Sequence, residues 1–86
     1  MNNSDPAVKT SSLDAIPHDV ETRVVRIGGV GAIARRLMEM GVVPGAPIRI
    51  VRTAPLGDPI VVSIRDYYLA LRQAEAQMIT VATNAG

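Results

Sequence analysis

Residues 35–59 constrain the fold of this chain more than any other stretch, because glycines and prolines interrupt it at short intervals. Up to Met40 it has the pattern of a short amphipathic helix, and Gly41 is suited to the left-handed conformation that ends a helix. Pro44 and Gly45 fit the central positions of a type II turn, since proline restricts φ at the first position and glycine accepts positive φ at the second.

A second turn region, residues 54–59, separates two predicted strands. Pro55, Gly57 and Pro59 are turn residues that exclude a central strand. The strand before this region is predicted at 48–53, and the strand after it at 60–65. We therefore expect a helix and two strands joined by tight structural turns.

The size of the chain limits the architecture to one domain. It has 86 residues, no cysteine and a net charge of +1. A disulfide framework and cysteine-based metal or redox sites are excluded, and broad electrostatic binding to nucleic acid or lipid is not supported. Arginine dominates the basic residues, eight against a single lysine. This excess indicates either planar contacts with a partner or charges that simply keep a small β domain soluble.

We predict a disordered tail over residues 1–11, an ordered domain over 12–83 and a frayed end over 84–86. Ser12 is a candidate N-cap for a single helical turn. Within the domain, the patterns predict five strands and two helices. The strands are expected at 21–27, 48–53, 60–65, 68–71 and 79–81, and the helices at 31–40 and 72–78.

Five short strands predict a mainly β fold, a small barrel with a helical insertion after its first strand. Closure of the sheet would remove exposed strand edges. The helix is expected to place Ile33, Leu37 and Met40 on one face. The residues predicted to point into the barrel are Val25, Ile27, Leu37, Ile48, Ile50, Ile60, Val62, Ile64, Leu69, Leu71, Ile79 and Val81.

Two patterns resemble ligand sites and are better explained by structure. Residues 29–34 match G-x-G-x-x-A, but the following elements and the chain length do not fit a dinucleotide-binding fold, so the glycines are interpreted as a flexible joint. His18 is the single histidine. It is a weak candidate for a metal ligand, because metal sites combine several ligands, and we interpret it as a turn residue.

No enzyme, cofactor or nucleic-acid interface is predicted. The chain has no visible nucleophile–base pair, and its two aromatic residues, Tyr67 and Tyr68, are adjacent at a predicted hairpin tip instead of spread over a stacking platform. No stretch has the roughly 20 apolar residues of a membrane span, and no signal peptide is apparent. A cytosolic binding or regulatory module remains.

The predicted helix offers the best candidates for partner contacts. Leu37, Met38 and Met40 follow one another closely, and Met adapts well to irregular contact surfaces. Leu37 and Met38 cannot both point into the core, so one of them is a candidate exposed contact. The alternative for the Met residues, and the one we favour for Met40, is that they fill gaps in the core.

The chain resembles the FeoA family, ferrous iron transport protein A, over about residues 13–81. The resemblance rests on two segments, residues 36–45 (RLMEMGVVPG) and residues 54–60 (APLGDPI). It implies an SH3-like barrel and a small cytosolic accessory protein of bacterial ferrous iron transport. The implied partner is the cytosolic GTP-binding portion of the membrane transporter FeoB, which would hold the protein at the inner membrane. The partner-binding candidates are Leu37, as the main contact, with Met38, Glu39, Met40, Gly41, Leu56 and Asp58.

The chain departs from the family pattern at two turns. His18 and Asp66 stand where glycine is common in the family. Since Asp and His tolerate positive φ better than most residues, we expect positive φ at both positions.

Two alternatives to docking on the transporter stay open. The same type of domain occurs at the C-terminus of metalloregulators that resemble the diphtheria toxin repressor, which implies a metal-responsive module with weak transition-metal binding. A third hypothesis is a small barrel that associates weakly with itself.

Overall fold

A computed structural model describes residues 8–29 and 31–84 of the chain. The described elements are six strands, two short helices and one 3₁₀ turn. They are β1 (Val8–Ser12), the 3₁₀ turn (Leu13–Ala15), β2 (Thr22–Ile27), α1 (Ala32–Glu39), β3 (Pro47–Thr53), β4 (Ile60–Ile64), β5 (Tyr67–Leu71), α2 (Gln73–Gln77) and β6 (Ile79–Asn84).

The strands form one antiparallel sheet in the order β1-β6-β2-β3-β4-β5. The predicted class, mainly β with a helix inserted after the strand that is now β2, is confirmed. The expected closure is wrong, because in the described part of the chain β1 and β5 each pair with a single strand. The sheet is barrel-like but open.

The sixth strand, β1, lies where the sequence predicts a disordered tail. Residues 8–12 pair with residues 80–84 of β6 in a continuous antiparallel register, so that prediction is wrong for residues 8–11. Residues 1–7 lie outside the described residues, as do 85 and 86 of the predicted frayed end. The prediction failed because this strand is polar, and its order comes from pairing along an edge of the sheet instead of from burial.

Most of the predicted core is confirmed. Nine residues from the predicted set are at most 4% exposed, and they come from α1 and strands β3 to β6. They are Leu37, Ile48, Ile50, Ile60, Val62, Ile64, Leu71, Ile79 and Val81.

The prediction for β2 is shifted by one residue. Val24 is buried and Val25 is only half-buried, while Ile27 and Leu69 pack at the margin of the core. A register irregularity between Val24 and Arg26 changes which side chains face inward. Thr22 shares the inner face of β2, where its hydroxyl donates to the Ile48 carbonyl at 2.6 Å.

Helix α1 buries a narrower stripe than expected. Ala34 and Leu37, three residues apart, are its buried residues, whereas Ile33 is 47% exposed and Met40 is half-buried. The predicted face of Ile33, Leu37 and Met40 is therefore wrong at Ile33.

Two turns have positive φ at other residues than predicted. Positive φ occurs at Asp19 (66°) and Arg65 (50°), not at His18 and Asp66 as expected. Each positive φ lies one residue from the predicted position. In the second turn the strand register explains the difference, because Ile64 pairs with Tyr67 and leaves Arg65 and Asp66 as a two-residue hairpin turn. The Pro44-Gly45 turn is confirmed, with Gly45 at φ 90° and the Ala46 amide donating to the Val43 carbonyl at 3.0 Å.

We predict that the core depends strongly on Leu37. Leu37→Ala should lower the free energy of unfolding by about 2–5 kcal/mol, because it leaves a cavity beneath α1. Its neighbour is the control: Met38→Ala, at a side chain that is 46% exposed, should cost less than about 1 kcal/mol. Urea denaturation followed by circular dichroism measures both, and equal losses would contradict the assignment of Leu37 to the core.

Candidate functional site

The C-terminal end of α1 is held in a defined shape by the backbone. The Val42 amide donates to the Leu37 carbonyl at 3.0 Å, and the Gly41 amide donates to the Met38 carbonyl at 3.0 Å. These are the two hydrogen bonds of a Schellman motif, and Gly41 has the positive φ (102°) that the motif requires. Leu37 and Val42 are both fully buried, so the motif turns the chain back into the core.

This geometry decides between the two candidate contact residues. Leu37 has no exposed surface, whereas Met38 is 46% exposed. A direct contact role for Leu37 is therefore excluded, and Met38 is the exposed one of the two side chains. A variant with Arg at position 37 would test folding instead of docking, because it would place a charge in the core.

Tyr67 extends the exposed surface at this helix end. Its hydroxyl donates to the Met40 carbonyl, and its side chain lies against Gly41, where a Cβ atom would collide with it. The ring is 42% exposed. We define Met38, Glu39, Met40, Gly41 and Tyr67 as the helix-end patch.

The role of Tyr67 was not predicted, because the sequence pattern places this residue at the hairpin tip. In the structure Tyr67 is the first residue of β5 and pairs with Ile64. The available signal was the alternation that ends at Ile64, since a two-residue turn then returns the chain at Tyr67.

The second candidate region, the loop of residues 54–59, presents one apolar side chain. The Gly57 amide donates to the Ala54 carbonyl at 2.8 Å, and the Ala54 amide donates to the Pro59 carbonyl at 2.9 Å. The loop base is thus closed by backbone hydrogen bonds, with a cis peptide bond before Pro59. Leu56 stands at the tip and is 96% exposed.

Asp58 ties this loop to the start of α2. Its Oδ1 accepts a hydrogen bond from the Gln73 amide at 3.1 Å, and its Oδ2 lies 3.8 Å from a guanidinium nitrogen of Arg72. The carboxylate is therefore engaged within the chain. Asp58, expected as a partner contact, has a positioning role in this structure.

A buried carboxylate links the two helices. Glu75 Oε1 accepts from the Arg72 amide at 2.8 Å, which caps α2, and Glu75 Oε2 pairs with the Arg36 guanidinium of α1. The Glu75 side chain is 10% exposed, so both of its oxygens are satisfied away from bulk water. This link holds α1 and its helix-end patch in place relative to α2.

The weak metal candidate, His18, is exposed and lies in a turn. Its Nε2 is 2.8 Å from the Thr53 hydroxyl. Within residues 8–29 and 31–84, no group of three or more His, Cys, Asp or Glu side chains is placed to hold a metal ion. Among the helices of the same residues, none has the length and apolar character needed to cross a membrane.

The helix-end patch and the 54–59 loop lie towards opposite ends of the edge strand β5. Tyr67 begins β5, and Asp58 contacts Gln73 just after its end. The five residues of β5 span roughly 13 Å, which is the separation between the helix-end patch and the 54–59 loop along this strand. Exposed Met, Tyr and Leu side chains on a small β domain are suited to contact with another protein.

The fold and these exposed apolar side chains define a small β-sheet binding module. A family model described as "FeoA domain" matches residues 11–83. The chain belongs to the FeoA family, as the sequence resemblance predicts.

Known relatives connect this family with ferrous iron transport. The chain is 43% identical over 58 residues to the Fe(2+) transport protein A/Fe(2+) transporter FeoB fusion protein of Porphyromonas gingivalis. The match covers 67% of this chain and only 7% of that much longer protein.

Solved structures confirm the fold. Iron(II) transport protein A of Clostridium thermocellum has a TM-score of 0.80 at 40% identity, covering 85% of this chain and 45% of that one. FeoA of Stenotrophomonas maltophilia, a procaryotic SH3 domain protein solved with zinc, has a TM-score of 0.74 at 30% identity, covering 88% and 99%. The predicted SH3-like fold is thus confirmed.

A further solved structure shares this fold at lower identity. IdeR of T. acidophilum has a TM-score of 0.77 at 22% identity, and the match covers 95% of this chain and 37% of that one. This likeness shows the shared fold alone.

We predict that Gly41 is required both for its backbone conformation and for the space beside it. Gly41→Ala should lower the free energy of unfolding by about 1–3 kcal/mol, because the methyl group adds a collision with Tyr67 to the cost of positive φ. Gly45→Ala is the matched control, since Gly45 also has positive φ (90°) but no atom within 4 Å of its Cβ position.

The collision is tested by a double-mutant cycle measured by urea denaturation. In a Tyr67→Phe background, which lacks the hydroxyl, Gly41→Ala should cost no more than Gly45→Ala. An unchanged cost in that background would show that Tyr67 does not pack against Gly41.

Proposed function

We propose that this protein is a small, non-enzymatic accessory protein of bacterial ferrous iron transport that docks on the cytosolic GTP-binding portion of a FeoB-type transporter. The observation that carries this proposal is the P. gingivalis relative, in which a FeoA unit and FeoB are joined in one chain. Units that are fused in one organism commonly act together, and the present chain would reach the same partner through a non-covalent surface. It would then be cytosolic and held at the inner membrane by its partner.

The helix-end patch is our proposed docking surface. Met38 supplies an adaptable apolar anchor and Tyr67 a rigid aromatic one, which are side chains that often carry binding energy. Glu39 is exposed beside them and offers a charge at the rim. Support for this choice comes from the rigid backbone beneath the patch, since the Schellman motif and the Tyr67–Met40 hydrogen bond hold it in one shape.

We predict that Met38→Asp weakens docking with the fold intact. The dissociation constant for the purified cytosolic portion of FeoB should rise by about tenfold, or about 1.4 kcal/mol. Interferometry measures it with GDP, with a GTP analogue and without nucleotide. Ile33→Asp is the matched control, because Ile33 lies on the same helix, is 47% exposed and is outside the patch. It should change affinity by less than about twofold.

Two results would contradict the proposal at different levels. If Ile33→Asp weakens docking as much as Met38→Asp, the surface is wrong while the partner stands. If the unmodified protein shows no binding in any nucleotide state, the partner itself is wrong.

We further predict that Leu56 contributes to the same contact from the 54–59 loop. Leu56→Ser should weaken docking by roughly fivefold, since it removes about 1 kcal/mol of apolar burial at an interface. Its urea midpoint should stay unchanged, because the side chain is almost fully exposed in the free protein. Unchanged affinity would restrict the docking surface to the helix-end patch.

A further inference from the structure

The outer face of the sheet contains a cationic cavity that the docking surface does not use. It has a volume of about 200 Å³ and is lined by Glu21, Pro47, Arg49, Ser63 and Arg65. Pro47 and Arg49 belong to β3 and Ser63 to β4, whereas Glu21 lies just before β2 and Arg65 lies in the turn after β4. The centre of the cavity is therefore built on two paired strands.

The strand register explains why these side chains meet. Arg49 pairs directly with Ser63, and Ser63 pairs with Tyr68 of β5. Side chains of directly paired residues point to the same face of a sheet. One row thus runs across the outer face from Arg49 through Ser63 to Tyr68, whose ring is 70% exposed.

Arg49 is the centre of the cavity. It is half-buried, and its Nε is buried with no hydrogen-bond partner in the described part of the chain. A buried guanidinium N–H without an acceptor is unfavourable, so a rotation of the Arg49 side chain that turns this N–H towards an entering oxygen atom would relieve the cost. The arrangement indicates an acceptor supplied from outside the chain.

Neither arginine of the cavity is neutralised internally. Among residues 8–29 and 31–84, the ion pairs are Arg36–Glu75 and Arg72–Asp58, so no carboxylate oxygen lies within 4 Å of Arg49 or Arg65. Arg65 follows β4 in the two-residue hairpin turn, whose geometry accounts for its positive φ (50°).

We propose that this cavity binds a carboxylate, specifically the Asp or Glu side chain of an acidic segment in a partner polypeptide. The planar guanidinium of Arg49 matches a carboxylate with two parallel hydrogen bonds, and Ser63 adds a hydroxyl donor. Two arginines and Glu21 give the lining a net charge of +1, which suits one carboxylate.

This proposal does not depend on docking to FeoB. The cavity lies on the outer face of the sheet, and its residues are separate from the helix-end patch and the 54–59 loop. A failure of either proposal therefore leaves the other standing.

Nuclear magnetic resonance titration of the full chain tests the proposal, because the Arg49 Nε–H resonance reports directly on a new acceptor. The probe is a capped Gly-Glu-Gly-Glu-Gly peptide, compared with its Gln counterpart and with inorganic phosphate at equal ionic strength. The Glu peptide should shift the Arg49 Nε–H and the Ser63 amide, and the Gln peptide should not. Raised salt should weaken the binding.

Arg49→Gln should weaken binding of the Glu peptide by roughly tenfold. Arg52→Gln is the matched control, since it makes the same charge change on the same strand at an exposed position outside the cavity, and it should bind as the unmodified chain does. If Arg49→Gln does not fold, Arg65→Gln replaces it in the same comparison.

Four results would overturn the proposal. They are equal shifts with the Gln peptide, equal weakening by Arg49→Gln and Arg52→Gln, tighter binding of phosphate than of the Glu peptide, and no shift at Arg49 Nε–H. Tighter binding of phosphate would assign the cavity to phosphate groups instead of carboxylates.

Discussion

The burial of Leu37 and Val42 on either side of Gly41 is the constraint on which the inserted helix depends. A helix of eight residues is marginal by itself in water, so its order must come from packing. The Schellman hydrogen bonds turn the chain at Gly41, which lets both apolar side chains enter the same core. The exposure of Met38 follows from this packing, because burying Leu37 in the core turns the next residue of the helix towards solvent.

The helix is also held from a second direction. Arg36 of α1 pairs with Glu75 of α2, and the same carboxylate caps α2 through the Arg72 amide. Asp58 then connects the start of α2 to the 54–59 loop. One series of polar contacts thus joins the inserted helix, α2 and the loop, so the two proposed contact regions are positioned relative to each other through α2.

Strands with clean alternation could be predicted from the sequence, and strands without it could not. Ile60, Val62 and Ile64 alternate with polar or smaller residues, and all three are buried as expected. In β2, adjacent Val24 and Val25 make either register plausible, and the irregularity after Val24 decides it through pairing with β6. The polar strand β1 has no burial pattern at all, because only pairing along the edge of β6 orders it.

The candidate site was predictable to the level of a segment. The glycines and prolines of 35–59 indicated both proposed contact regions, but which of Leu37 and Met38 is exposed depends on how the helix is rotated against the core. The contact of Tyr67 with Met40 and the cavity around Arg49 each join segments that are distant in sequence, which local patterns do not contain.

The closed base of the 54–59 loop has a consequence for the strength of association. Two backbone hydrogen bonds already hold the loop when the protein is free, so a partner that receives Leu56 would not have to order the backbone around it. Much of the entropy normally lost on binding a loop has thus been lost during folding, and a single leucine at its tip is preorganised for contact.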